Sequence, residues 1–195
     1  MKSPTLFCKV LAILLLITPA ISRAADRDSN ETCPVGLVSG LTLSAEFGSV
    51  VAANTRCIKA RHHVRTMFVL DNTFSPGTTT AYGLPQVQNA LNDYEITDGL
   101  TEGRDFRIIV VVHSAGGRLM LNDPAENPFV GTVQHLMSEG VTFYLCENTI
   151  RAMISHGLLQ EGNVGAGVIS GTKFVTSAVT AIPDFETVGW HYVQP

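Results

Sequence analysis

One cysteine stands where a thiol could react. Cys146 closes the run Phe143-Tyr144-Leu145-Cys146-Glu147-Asn148-Thr149, in which an apolar strand hands over to a helix. A thiol at a helix N-terminus meets unpaired N–H groups and the positive end of the helix dipole, and both favour the nucleophilic thiolate. Asn148 and Thr149 are residue types that cap a helix start. Glu147 opposes the effect slightly, because a neighbouring negative charge raises a thiol pKa. A buried structural cysteine is the alternative, and position alone leaves both open. His113 ends an earlier run, Val110-Val111-Val112-His113-Ser114-Ala115-Gly116-Gly117. If the two strands are neighbours, His113 and Cys146 reach the same sheet edge. An imidazole there could pair with the thiolate or deliver a proton.

The same stretch offers a minor rival. Val112-His113-Ser114-Ala115-Gly116 approximates the G-x-S-x-G elbow of serine hydrolases, and Asp184 and His191 follow in the order Ser…Asp…His. Val112 replaces the first glycine, where a side chain crowds the turn, and few strands follow Ser114. The pair His62-His63 and the cysteines show no zinc spacing, so no metal site is expected. Gly162 to Gly171 matches neither phosphate-loop glycine pattern and reads as a flexible connection. The cluster Trp190-His191-Tyr192 reads as core edge and interface.

These residues need elements to position them. Val64 to Leu70 is a β-rich run that ends in Asp71-Asn72 and a turn-rich loop. Leu84, Val87, Leu91 and Tyr94 recur at helical spacing. Ile108 to Val112 is a continuous β-branched run, the mark of a central parallel strand buried on both faces. Pro128 to Glu139 reads as a helix with Gly140 as its C-cap. Val141 to Leu145 is the next strand, followed by a helix through Ile150, Met153 and Ile154. Phe174-Val175 is a short strand. Ser177 to Val188 is a helix that Pro183 must start or kink, and Trp190 to Val193 is a last strand. The alternation predicts an α/β fold with a mostly parallel five-stranded sheet and helices on its faces. Working groups in such sheets lie at the carboxyl ends of the strands.

The chain has 195 residues and begins as a targeting segment. Lys2 and Lys9 precede an apolar run from Val10 to Ile17, and Ser22 and Ala24 supply the small residues of a cleavage site. The run is too short to span a bilayer, which takes about 20 residues. Residues 1–24 are thus expected to be a signal peptide and the mature protein to be periplasmic or secreted. Losing Lys2, Lys9 and Arg23 from the 13 basic residues leaves ten against 17 acidic, a balance of −7. Nucleic acid and membrane are therefore not expected as partners of the mature chain. Residues 25–60 are polar, then rich in small residues, and read as an N-terminal extension with a short strand around Leu41 to Leu43. Within it, a Cys33–Cys57 disulfide would close a loop of about 25 residues and stabilise by roughly 3 kcal/mol. Two free buried thiols are the alternative, and the oxidising compartment favours the bond.

The region from Arg107 onward resembles the DsrE/DsrF-like, sulfur-relay family. The resemblance rests on the valine-rich strand ending in His113, Asn127-Pro128 opening a helix, and Gly140-Val141 leading into Leu145-Cys146-Glu147-Asn148-Thr149. It continues in Val175-Thr176-Ser177-Ala178-Val179 and in the ending Gly189-Trp190-His191-Tyr192-Val193-Gln194-Pro195. It implies a flavodoxin-like layered domain over residues 61–195 and a homo-oligomer, trimer or hexamer. It also implies persulfide carriage on Cys146 with His113 beside it and Ser114, Asn148 and Thr149 in support. Small sulfur species or a thiol-bearing protein would be the partners, and no cofactor is implied. The chain departs from the cytoplasmic relay members in its export segment, and Ala178 stands where relatives often have glycine. The alternative is a non-catalytic binding or assembly module in which Cys146 only packs.

Overall fold

A computed structural model of the protein describes residues 63–97 and 99–195. The expected signal segment, the strand expected near Leu41, Cys33, Cys57 and His62 lie outside the described residues. Five strands form one sheet: β1 (Val64–Leu70), β2 (Phe106–Val112), β3 (Thr142–Cys146), β4 (Lys173–Val175) and β5 (His191–Val193). Every pairing is parallel, in the order β4-β3-β2-β1-β5. This is an α/β layout compatible with a flavodoxin-like fold, as the alternation of strand and helix predicts. The β-branched run fills the middle: Ile108 to Val112 are each no more than 4% exposed. The three-residue strands β4 and β5 take the edges, where short length limits further pairing.

The helices are α1 (Leu84–Asn92), α2 (Val130–Ser138), α3 (Glu147–Ser155), the single turn α4 (Val164–Gly167) and α5 (Ala178–Thr187). α1 runs on into a π-helical turn, Asp93–Thr97, and a 3₁₀ turn, Ser114–Met120, follows β2. β1 to β4 step across the sheet in one direction. Right-handed crossovers then send α1, α2 and α3 to one face. Their apolar sides (Leu84, Val87, Val133, Leu136, Ile150, Met153) pack on Phe68, Leu70, Ile108, Val110, Val112, Phe143 and Leu145. The chain from β4 must cross back to reach β5, so α5 lies on the opposite face. There Ala178, Ile182 and Phe185 meet Met67, Val69, Ile109, Val111 and Cys146.

Two local outcomes differ from the sequence expectation, and a third narrows it. Gly116-Gly117 does not simply end β2; both glycines are buried inside the 3₁₀ turn. A Cβ on Gly116 would lie 2.4 Å from the Leu70 carbonyl oxygen, and one on Gly117 would lie 2.4 Å from Thr149 Cγ2. They allow backbone approach, the second meaning of a glycine pair. The connection from Gly162 to Gly171, read as flexible, is largely exposed but anchored near its end, and the residues before it are anchored too. Leu159, Val168 and Ile169 are buried, and the Ile169 N–H donates to the Met120 carbonyl at 2.9 Å. Of the two roles expected for Pro183, the start of the helix is excluded: α5 runs through it, which leaves the Val179 carbonyl without a helical donor. Gly140 does terminate its helix, at φ 95°.

Candidate functional site

The direction of the connections decides where a site can form. β3 passes to α3 on one face, and β4 passes to α5 on the other. Neighbouring strands whose outgoing loops part in this way leave a crevice at their carboxyl ends, the topological switch point of an open α/β sheet. Cys146 is the last residue of β3 and pairs with Val175, the last residue of β4.

Cys146 is itself the N-cap of α3, in extended conformation. Asn148 and Thr149 therefore fall inside the first turn and do not cap, contrary to expectation. Asn148 Oδ1 instead accepts from Arg151 Nη1 at 2.6 Å. The cysteine sulfur accepts the N–H of Ala178, the first residue of α5, at 3.4 Å. The thiol thus lies between the amino ends of two helices. Burial pushes its pKa up, but the N–H groups of Thr149, Ala178 and Asn148 and the Thr149 hydroxyl outweigh burial, and the thiol titrates below its ordinary value. Of these donors Ala178 has hydrogen-bond geometry. Asn148 and Thr149 act across the open first turn, since no side-chain bond closes the cap. Glu147 is engaged elsewhere: its carboxylate lies 3.5 Å from Arg151. Cys146 is 4% exposed, so the sulfur is almost covered.

β2 and β3 are neighbours, and their last registered pair is Val112 with Leu145. His113 and Cys146 follow directly, at the same edge, as the sequence anticipates. No hydrogen bond joins the two. The His113 Nδ1 shares a hydrogen bond with Ser114 Oγ at 2.8 Å. Ser114 has φ 52°, a left-handed conformation that costs a non-glycine residue about 1–2 kcal/mol. Its N–H donates to Thr149 Oγ1 at 2.9 Å, so Thr149 ties the loop after β2 to the helix that begins at Cys146.

The hydrolase arrangement is not assembled. His191 pairs with Thr66, which pairs with Ile108, six residues before Ser114. At about 3.3 Å per residue that separation is roughly 20 Å along the strands. Asp184 lies on α5, on the other face of the sheet from α3. Among the described residues, no group of three His, Cys, Asp or Glu side chains is placed to hold a metal. Trp190 packs edge-on against Phe185, with ring centroids 6.1 Å apart, as a core-edge residue.

Sequence reading did not find Ala178, the donor from α5. The signal was present in Ser177, an N-cap residue type before an apolar helix, but nothing local brings it to Cys146. Arg118 and His156 were also missed. With Ser114, Thr149 and Met153 they line a cleft of about 480 Å³ between the 3₁₀ turn and α3.

No family model matches the chain, and no curated protein matches it. A solved structure of a protein of unknown function, MTH1491 from Methanobacterium thermoautotrophicum, is similar to it. The likeness has a TM-score of 0.51 and 28% sequence identity, and it covers 68% of this chain and 99% of that one.

Proposed function

We propose that this protein handles sulfane sulfur through Cys146, as an exported relative of the DsrE/DsrF-like sulfur-relay proteins. The observation that carries the reading is the position of Cys146 Sγ between the amino ends of α3 and α5, with the Ala178 N–H at 3.4 Å. A negative charge on sulfur is favoured there before any substrate arrives. The thiolate attacks the outer sulfur of a small persulfide or polysulfide. The sulfur–sulfur bond of the donor breaks, the donor departs as a thiolate, and Cys146 keeps the transferred atom as a persulfide. The same N–H groups then face the product anion. Reversal onto an acceptor thiol returns Cys146 to its starting form, so no oxidant is consumed. With only 4% of Cys146 exposed, the arrangement suits a compact sulfur species. His113, at the same edge, is the group to supply or take a proton. In this reading the N-terminal segment directs export and the domain works as a trimer or hexamer.

Mass spectrometry after incubation with polysulfide tests the proposal. The expected result is a gain of one sulfur, about 32 Da, that is absent in Cys146→Ser. No adduct, or one that persists in Cys146→Ser, removes it. The near-complete cover of Cys146 also favours a second reading, an assembly module in which the cysteine is packing. Alkylation of the folded protein separates the two, because a packing cysteine stays inert at neutral pH while a relay cysteine is consumed.

A further inference from the structure

The cleft between the 3₁₀ turn and α3 lies beside the thiol site and is distinct from it. Thr149 lines it but Cys146 does not. Its volume, about 480 Å³, falls within the range of small-molecule sites. Its lining divides by chemistry. Ala152, Met153 and Leu158 supply apolar surface, and Ser114, Arg118 and His156 supply polar groups. Arg118 Nη1 already holds a carboxylate oxygen of Glu126 at 3.1 Å, which fixes the guanidinium and leaves most of its five N–H donors for another anion. Both members of that pair are nearly half exposed, so an entering carboxylate meets the guanidinium from solvent. A cationic group beside an apolar wall stands out in a chain with a net charge of −4.

We infer that this cleft binds a small organic monoanion, an aliphatic carboxylate whose charged end meets Arg118 and whose stem lies against Ala152, Met153 and Leu158. Charge selects the head group, because a planar guanidinium matches a carboxylate in geometry as well as in sign. The apolar wall selects a stem over a bare inorganic anion. Ser114, whose Oγ is bonded to His113, also lines the cleft, and its hydroxyl is a donor for the second carboxylate oxygen.

Hexanoate, hexanamide and sulfate are the probes, with binding followed by calorimetry and thermal shift on the whole protein. Hexanoate should bind saturably, and hexanamide and sulfate should not at equal ionic strength. Arg118→Met should weaken hexanoate by about tenfold or more. Ala152→Phe, at an exposed position, should fill the cleft and abolish the response with the circular dichroism spectrum unchanged. Cys146→Ser should bind hexanoate as the parent does, which keeps this result separate from the sulfur chemistry. An absent hexanoate response, an equal response to hexanamide or sulfate, or binding that survives both cleft variants overturns the inference.

Discussion

The thiol of Cys146 has a fold-dependent acidity, so its titration and the stability of the domain are linked. In the folded chain its pKa lies below the ordinary 9.0, through the amide donors that outweigh burial. The sign follows for an acid whose charged form the fold favours. The stabilisation is complete above the unfolded pKa and is lost as pH falls through the lowered folded one. Urea unfolding of the parent and Cys146→Ser between about pH 6 and pH 10 should show a gap that widens with rising pH and then levels off near pH 9. A gap independent of pH means that the sulfur is not held as a thiolate. Gly117 makes a second prediction at this scale. A Cβ there meets the stiff Thr149 Cγ2 at 2.4 Å and the softer Met153 Sδ at 2.8 Å. Gly117→Ala should lower stability by about 1–3 kcal/mol in the same assay. A neutral substitution would show that the 3₁₀ turn can lift off α3.

Elements were legible where one physical demand dominated. The strand Phe106–Val112 followed from a β-branched run that only a sheet buried on both faces accepts. The helix before Gly140 followed from its period and its cap. What stayed hidden was made by contacts between elements. Asn127 reads as a residue that opens a helix, yet α2 begins at Val130. Its actual work is to tie the loop to the 3₁₀ turn. The side chain is fully buried; its amide donates to the Leu119 and Leu121 carbonyls at 2.7 and 3.0 Å, and its oxygen accepts the Phe129 N–H. Asn127→Ala leaves all three groups without that partner. It should cost about 2–4 kcal/mol in chemical denaturation. A loss below about 0.5 kcal/mol would mean that water replaces the amide. The 3₁₀ turn was hidden because Gly116-Gly117 has two readings, strand stop or close approach, and sequence does not choose between them. The packing of Leu159, Val168 and Ile169 was hidden because the glycines around them signal freedom.

At the scale of the molecule the two faces of the sheet are unequal. Among the described residues α1, α2 and α3 cover one, and α5 is the helix on the other. The Ala178 donor could not be read locally, since 32 positions separate it from Cys146 and only the return crossing of the sheet joins them. The cysteine and its strand-to-helix setting were legible; the second helix end was not. α5 and its surroundings also present apolar surface: Val179 is 83% exposed and Val188 59%. If the protein assembles with copies of itself, Val179→Asp should shift sedimentation towards the monomer without loss of secondary structure. A parent that sediments as a monomer at micromolar concentration would end the oligomer proposal.

The strand order also bears on how the chain comes into being. β5 docks on β1, yet about 120 residues of synthesis lie between Leu70 and His191. In N-to-C order of emergence, the outer side of β1 therefore waits for the last strand of the sheet before it is paired. Until β5 docks, the backbone edge that it covers, Thr66 to Phe68, is free to pair with any extended segment nearby. Overproduction that outpaces closure of this edge should therefore raise the insoluble fraction of the protein.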